Sequence, residues 1–275
     1  MAASELRFVG RAPRIAVEHA GAGPLVLLMH GIGGNRNNWR DQVEALADRF
    51  HVAAWDARGY GDSDDYEGPL DFADFSADLA RVLDEFGASA AHLVGLSMGG
   101  IIAQDFYRRH PRRVLSLVLA DTRNRIERHN SDEFLRQREA PLVAGLTPRD
   151  IAPKLARGLA GPNAGADVIE RLQASIAALR KDSYLKVLRA TTKILEHPDF
   201  RGRTTFLDLE SVAVPTLVIC GTEDAITPPE LSRAIVEGVA GARIAWIEGA
   251  GHLSNIENPA QFNRALRDFL LEQAR

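Results

Sequence analysis

Apolar residues along this 275-residue chain follow two patterns that alternate. Continuous apolar runs of strand length are typical of strands buried on both faces of a parallel sheet. Between the later runs, apolar residues recur three or four positions apart, as in amphipathic helices. Strands are predicted near residues 6–9, 15–18, 25–29, 51–55, 91–94, 114–120, 215–220 and 243–247, and helices near 38–48, 73–86, 98–109, 230–239 and 259–272. This alternation predicts an α/β fold with a doubly wound, mostly parallel sheet of about eight strands.

The strand pattern disappears between residues 123 and 205, where helical periodicity takes its place. Helix breaks are predicted there at Pro141, Pro148, Pro153, Gly161-Pro162 and His197-Pro198. We interpret residues 123–205 as a helical cap inserted into a core domain made of residues 1–122 and 206–275. Such a cap, lying over the strand ends, would roof a pocket with apolar side chains and keep water out.

A serine stands at a sharp junction between a predicted strand and a predicted helix. Residues 95–100 read Gly-Leu-Ser-Met-Gly-Gly, directly after the apolar run 91–94 and before the helical stretch 101–107. In such a turn the serine has a strained backbone that exposes its hydroxyl, and small neighbours let the strand and helix approach each other. The pattern predicts Ser97 as a nucleophile, with an ordinary glycine turn as the alternative.

A second loop offers hydrogen-bond donors for such a nucleophile. The apolar run 25–29 is interrupted abruptly by His-Gly-Ile-Gly-Gly at 30–34. Attack on a carbonyl group develops negative charge on its oxygen, which two fixed backbone N–H groups would stabilise. We predict that these donors are the amides of Met98, directly after the nucleophile, and of Ile32 in this loop. His30 is then interpreted as a residue that organises the loop.

A base and several candidate acids follow later strands. His252 lies in the loop Gly-Ala-Gly-His-Leu at 249–253, and a histidine that accepts a serine proton needs a carboxylate to orient it. Glu223 and Asp224 follow the strand near 215–220, while Asp121 ends the strand near 114–120. The residues alone leave the choice of acid open. Asp56, in a glycine-rich turn, is interpreted as a turn-forming residue.

Several apolar residues near these loops are candidates for the wall of a substrate pocket. Trp39, Ile226 and Leu253 are predicted to line it, together with Ile32 and Met98. Leu142, Val143 and Leu146 are further candidates from the cap. All of these positions are also compatible with ordinary core packing, and for Trp39 the two interpretations are evenly balanced.

Composition and charge narrow the possible partners and location. The formal net charge is −4, so nothing in the charge favours nucleic acid, and the basic cluster at 108–113 suits the end of a helix. The longest apolar runs are far shorter than the roughly 20 residues that span a bilayer. The first residues lack the basic start and apolar stretch of an export signal. We therefore expect a cytoplasmic protein that acts on a small molecule and binds neither nucleic acid nor a membrane. The protein could form a homo-oligomer, and the sequence leaves its oligomeric state open.

The sequence predicts neither a metal site nor a cofactor. Its eight histidines are scattered without a pair at zinc-ligand spacing, and the single cysteine, Cys220, excludes an intrachain disulfide. Cys220 is interpreted as a small core residue at a strand end. A glycine-rich phosphate loop of the dinucleotide or nucleoside-triphosphate type is also missing from the sequence.

Five motifs together resemble those of the α/β-hydrolase superfamily. They are His30-Gly31, the series Asp56, Arg58, Gly59, Gly61 and Ser63, the stretch 95–100, residues 221–224 and Gly251-His252. Within that superfamily the stretches 95–100 and 252–259 are most similar to 3-oxoadipate enol-lactonases and small carboxylesterases. The resemblance implies Asp224 as the acid, with Asp121 as the alternative seen in some enzymes of this architecture.

The resemblance implies a serine hydrolase that cleaves an ester or lactone through an acyl-enzyme. The loop beginning with His30 and Gly31 is typical of general esterases rather than enol-lactonases. Leu253 stands where related carbon–carbon bond hydrolases carry tryptophan, and Ser97 argues against haloalkane dehalogenases and epoxide hydrolases, which use aspartate. Carbon–carbon cleavage, amide hydrolysis or perhydrolysis on the same residues, and a ligand receptor with slow turnover, are the alternatives.

Overall fold

A computed structural model describes residues 4–125, 128–192 and 203–274. Its eight strands form one open sheet in the order β1-β2-β4-β3-β5-β6-β7-β8. Both β1 and β2 run antiparallel to their neighbours, and all later pairings are parallel. The strands are β1 Glu5–Val9, β2 Ile15–Ala20, β3 Leu25–Met29, β4 His51–Trp55, β5 Ala91–Leu96, β6 Val114–Ala120, β7 Thr216–Gly221 and β8 Arg243–Ile247. The predicted fold class is confirmed.

Helices cover both faces of the sheet because its strands are apolar on both sides. One apolar cluster joins one face to the helices at 72–85, 98–109 and 229–238, and another joins the opposite face to the helices at 40–46 and 259–273. In the last of these helices the side chains of Phe262, Leu266, Phe269 and Leu270 are buried, and the burial of each contributes about 1.5–3 kcal/mol. These helices are α1 Arg40–Leu46, α2 Phe72–Glu85, α3 Met98–Arg109, α8 Pro229–Gly238, α9 Ser254–Glu257 and α10 Pro259–Gln273, with a 3₁₀ turn at Arg36–Trp39.

Four more helices lie between β6 and β7: α4 Arg128–Val143, α5 Pro148–Leu159, α6 Ala166–Ala177 and α7 Lys181–Thr192. The predicted breaks at Pro141 and Pro153 are wrong, since both prolines lie inside helices. A proline inside a helix costs about 3 kcal/mol. In α5, burial of Ala152, Ala156 and Leu159 against the second apolar cluster offsets that cost.

The other predicted breaks of this segment have different outcomes. Pro148 opens α5, and Gly161-Pro162 separates α5 from α6. His197-Pro198 lies outside the described residues. An antiparallel bridge between Arg125 and Thr205 brings together the two ends of the segment that we interpreted as a cap. The division into a cap and a core domain stays a prediction.

The strand order fixes where a site can form. From β3 the chain moves outward to β4 on one side, and from β5 it moves through β6 to β8 on the other. Ligands of open α/β sheets bind at the carboxyl ends of the strands beside such a reversal. Ser97 directly follows β5 at this position. Among the described helices, none combines the length and apolar character needed to cross a membrane.

Candidate active site

Ser97 has the strained backbone that the sequence predicts for a nucleophile. Its φ is 55° and its ψ is −116°, a conformation that costs a non-glycine residue about 1–3 kcal/mol. The surrounding structure holds it there: the amide of Ser97 donates to the carbonyl of Ala120 at 2.9 Å, and its carbonyl accepts from Thr122 Oγ1 at 2.7 Å. The hydroxyl therefore has a fixed position at the start of α3.

Two glycines allow β5 and α3 to meet at this sharp angle. A Cβ atom on Gly95 would lie 2.2 Å from the carbonyl oxygen of Gly99, and one on Gly99 would lie 2.1 Å from that of Met29. Both distances are far below van der Waals contact, and the obstructing atoms belong to the backbone. Any side chain at either position would push the strand and the helix apart and move Ser97.

His252 lies between Ser97 and Asp224, although 155 and 28 residues separate it from them along the chain. Its Nε2 is 2.9 Å from Ser97 Oγ, and its Nδ1 is 2.9 Å from Asp224 Oδ2. With the proton on Nδ1, the imidazole donates to the carboxylate and accepts from the serine hydroxyl. The backbone N–H of His252 donates to the carbonyl of Leu159, at the end of α5, at 3.0 Å. The structure thus brings together Ser97 and His252, which the sequence predicts, and Asp224, which the resemblance implies as the acid.

Asp224 is fixed as an ionised acceptor by its own loop. The amides of Ile226 and Thr227 donate to its Oδ1 at 2.8 and 2.9 Å, and the Thr227 hydroxyl donates to Oδ2 at 2.6 Å. Burial raises the pKa of Asp224, but the charge of His252 and these hydrogen bonds outweigh burial and lower it below 3.8. Glu223, the neighbouring candidate, is exposed and donates its amide to the carbonyl of Ala250.

The pKa of His252 results from two opposing effects. Burial of the imidazole lowers the pKa, whereas the negative charge of Asp224 and its hydrogen bond raise it, and the net shift is upward from 6.5. A raised pKa makes the imidazole a stronger acceptor for the proton of Ser97. The same interaction stabilises the imidazolium ion that forms when the proton is transferred.

Asp121, the alternative acid, lies behind the triad instead of beside the imidazole. Its Oδ1 accepts from the amide of Gly221 at 2.9 Å, and its Oδ2 accepts from the amide and hydroxyl of Ser254 at 3.2 and 2.5 Å. Burial, followed by the charge of Asp224, raises its pKa to about 8. Through these hydrogen bonds Asp121 ties β6, β7 and α9 together.

Glu257 fixes the loop that carries His252. Its carboxylate accepts from the amides on both sides of the histidine, Gly251 at 3.0 Å and Leu253 at 3.2 Å. It also accepts from the amide of Gly161, between α5 and α6, at 2.8 Å. No sequence pattern indicates this role of Glu257, because a carboxylate that binds only backbone amides has no characteristic spacing from its partners.

The predicted oxyanion donors are the backbone amides of Ile32 and Met98. Ile32 and Met98 line one cavity together with Ser97. Within the ranges that the structure describes, the amides of both residues donate no hydrogen bond, so they remain available to a ligand. Met98 is the first residue of α3, where the helix dipole also favours negative charge.

His30 shapes the loop that holds Ile32. Its Nδ1 is 2.8 Å from the carbonyl of Gly31, and its Nε2 accepts from the amide of Ala57 at 3.0 Å. Burial lowers its pKa, so the ring is neutral at physiological pH. Both ring nitrogens are engaged, which fits a structural role.

The predicted pocket residues divide between two cavities that meet at Ser97. Trp39 and Leu253 line the smaller cavity, which has a volume of about 30 Å³. Ile226 lines the larger cavity, which has a volume of about 350 Å³. Leu142 packs in the small core formed by α4 and α7, while Val143 and Leu146 are 66% and 45% exposed. These three cap residues line neither cavity. Helical periodicity predicts that a helix has an apolar face. It does not predict whether that face packs against other helices or lines a cavity.

Asp121, Cys220 and Asp224 place possible metal ligands within 4.8 Å of one another. Their chemistry fits a metal poorly. The Cys220 thiol already donates to the carbonyl of Gly221 at 3.3 Å, and both carboxylates already accept several hydrogen bonds. Asp121 and Cys220 instead pack beside Asp224 as buried neighbours.

Comparisons with known proteins agree with the fold. A family model described as alpha/beta hydrolase fold matches residues 24–259. The chain is 32% identical to a putative carbamate hydrolase, RutD, from Azorhizobium caulinodans, and the match covers 90% of this chain and 92% of that protein. It is 28% identical to 3-oxoadipate enol-lactonase 2 from Acinetobacter baylyi, and that match covers 88% of this chain and 87% of the lactonase. The solved structure of a thermophilic esterase from Thermogutta terrifontis is similar, with a TM-score of 0.87 and 29% identity over 98% of this chain and all of that one.

All three relatives are named as hydrolases, and the solved esterase shares this architecture over its full length. With a matched region that extends from β3 to the start of α10, the chain belongs to the α/β-hydrolase fold family.

Proposed function

We propose that the protein is a serine hydrolase that cleaves a carboxylic ester or lactone of a small molecule through an acyl-enzyme intermediate. The observation that carries this proposal is the continuous pair of hydrogen bonds from Ser97 through His252 to Asp224, each 2.9 Å long. The esterase and enol-lactonase among the similar proteins support the same substrate class.

In the first half-reaction, His252 accepts the hydroxyl proton as Ser97 Oγ attacks the carbonyl carbon. The amides of Ile32 and Met98 stabilise the negative oxygen of the tetrahedral intermediate. Collapse of this intermediate breaks the bond to the leaving alcohol, which takes the proton from His252. Water then attacks the acyl-enzyme with the same proton transfers, and the acid product leaves.

A fluorophosphonate probe tests the nucleophile directly. We expect one probe to attach per chain, and peptide mass spectrometry to locate it on Ser97. The same preparation should hydrolyse 4-nitrophenyl acetate with a burst of nitrophenol equal to the enzyme concentration when deacylation is slower than acylation. Labelling of a different residue, or hydrolysis that continues after complete labelling, would contradict the proposal.

The pKa of His252 predicts the pH dependence of the reaction. The imidazole accepts the proton only when it is neutral, and its raised pKa keeps it protonated to a pH above 6.5. We therefore expect kcat/KM to fall as the pH decreases, with the midpoint of this limb above 6.5. Measurement of kcat/KM between about pH 5 and pH 9 provides the test. A rate that stays constant down to the lower end would show that His252 is not the base.

A further inference from the structure

The junction between α5 and α6 contacts the loop that carries His252 directly through the backbone. Leu159 is the last residue of α5, and the last carbonyls of a helix lack partners inside that helix. The carbonyl of Leu159 accepts from the backbone N–H of His252 at 3.0 Å. The proposed base is therefore hydrogen-bonded to the helical segment between β6 and β7, although this segment supplies no member of the proton path.

The carboxylate of Glu257 makes a second connection at the same junction. Its Oε2 accepts from the amides of Gly161 at 2.8 Å and Gly251 at 3.0 Å, and its Oε1 accepts from the amide of Leu253 at 3.2 Å. Hydrogen bonds to an ionised acceptor are about twice as strong as those between neutral groups. One carboxylate thus holds the amides on both sides of His252 against the junction.

Two glycines let the junction and the loop pack backbone against backbone. A Cβ atom on Gly161 would lie 2.8 Å from the nitrogen of Gly251, 2.9 Å from Glu257 Oε2 and 3.1 Å from the carbonyl oxygen of Gly249. A Cβ atom on Gly251 would lie 2.3 Å from the nitrogen of Gly161. A single methyl group at Gly161 would therefore occupy the space that these hydrogen bonds need.

The pair of helices α5 and α6 is itself fixed to the rest of the molecule. On α6, the guanidinium of Arg171 donates to Asp41 Oδ2 at 2.5 Å and to the carbonyl of Asn37 at 3.0 Å. The buried side chains of Ala156 on α5 and Leu172 on α6 belong to the apolar cluster that also contains α1 and α10. The pair therefore supports the loop of the base from a position that is held in place.

Resting on the proposed function, we propose that the junction between α5 and α6 positions the base of the reaction, and that Gly161 and Glu257 are positioning residues for His252. They hold the backbone of His252 so that its imidazole stays 2.9 Å from both Ser97 Oγ and Asp224 Oδ2. They take no part in the proton transfers. A displacement of about 1 Å in such a geometry can lower a rate by about 100-fold.

A methyl group at the junction tests this inference directly. Alanine can adopt the backbone conformation of Gly161, so Gly161→Ala acts through the contacts of its added carbon. We expect kcat for 4-nitrophenyl acetate to fall by about 10- to 100-fold, counted per active site that the fluorophosphonate probe labels. Because His252 acts in both half-reactions, acylation and deacylation should slow together, and KM should stay within about threefold of the wild type.

Gly158→Ala is the matched control for Gly161→Ala. It adds the same carbon three residues earlier, within α5, where the new Cβ atom would meet nothing within 4 Å. Alanine is also the better helix former. We therefore expect Gly158→Ala to keep the wild-type kcat and to unfold at the same temperature or a higher one.

Glu257→Gln tests the same connection without added volume, and it carries the test if Gly161→Ala does not fold. A glutamine side chain has one acceptor oxygen instead of two, so at least one of the three amides loses its partner. We expect kcat to fall by about tenfold, with KM little changed. Glu248→Gln removes the same charge from an exposed residue of the same loop and should leave kcat unchanged.

The pKa of His252 provides a readout that needs no turnover. NMR titration of the imidazole measures this pKa in each protein, and the spectrum of His252→Ala assigns the signal. The charge of Asp224 raises the pKa in the wild type. Since Gly161→Ala changes no charge, a lower pKa of His252 in that variant would report a longer distance to Asp224. Gly158→Ala should leave the pKa unchanged.

The possible results separate this inference from the proposed function. A wild-type protein that neither hydrolyses the ester nor labels at Ser97 would contradict the proposed function, and the NMR comparison would still decide the positioning role. A Gly161→Ala variant with the wild-type kcat per active site and an unchanged pKa of His252 would overturn the inference, even if it unfolded at a lower temperature. Equal losses in Gly161→Ala and Gly158→Ala would overturn it as well.

Discussion

Replacement of Ser97 by alanine is expected to reduce kcat by about 10³- to 10⁶-fold, because no other group can form the acyl-enzyme. The oxyanion amides and the pocket remain, so a small residual rate above that of water is expected. The measurement is steady-state hydrolysis of 4-nitrophenyl acetate together with thermal unfolding. Alanine tolerates the φ of 55° no better and no worse than serine, so the melting temperature should change little.

The control for Ser97→Ala is a nearby hydroxyl that lies outside the proton path. Ser254 contacts Asp121 behind the triad, and Ser254→Ala should reduce activity far less than Ser97→Ala. If the Ser97→Ala enzyme hydrolysed the ester at the wild-type rate, Ser97 would not be the nucleophile, and the reaction would have to proceed by direct attack of water.

Replacement of Asp224 by asparagine should reduce kcat by about 10⁴-fold. The amide can donate a hydrogen bond to Nδ1 of His252, which stabilises the tautomer that places the proton on Nε2. That tautomer cannot accept the proton of Ser97. Loss of the negative charge also removes the main cause of the raised pKa, so the acid limb of the pH profile should move to lower pH.

Asp121→Asn is the matched control. It makes the same chemical change on a buried carboxyl that contacts Gly221 and Ser254 and makes no hydrogen bond with the imidazole of His252. The oxygen of an asparagine still accepts from Gly221, and its amide group donates to the hydroxyl of Ser254, but it no longer accepts from the amide of Ser254. We expect kcat at pH 7 to fall far less than in Asp224→Asn, because the hydrogen bond from His252 to Asp224 stays intact. If Asp121→Asn were the more damaging substitution, Asp121 would be the catalytic acid.

The fold and the central residues of the site could be predicted because they depend on local chemistry. Buried parallel strands require continuous apolar runs, and the turn at Ser97 requires glycines at 95 and 99 for steric reasons. The choice between Asp121 and Asp224 could not be made in this way. Both follow strand ends, and the difference lies in which hydrogen bonds each makes after folding.

The remaining features depend on contacts between distant parts of the chain. Glu257 binds amides near His252 and at Gly161, 96 residues away, so nothing in the local sequence indicates its role. Pro153 stays helical because α5 is buried against the core, an effect that overrides its local preference.

The junction between α5 and α6 has a consequence for engineering of this protein. The carbonyl of Leu159 and the amide of Gly161 both bind the loop of His252, the first directly and the second through Glu257. A chimera that takes its four-helix segment from another hydrolase would need to keep these two backbone positions. Grafts designed around them should preserve the catalytic base while the walls of the substrate site are exchanged.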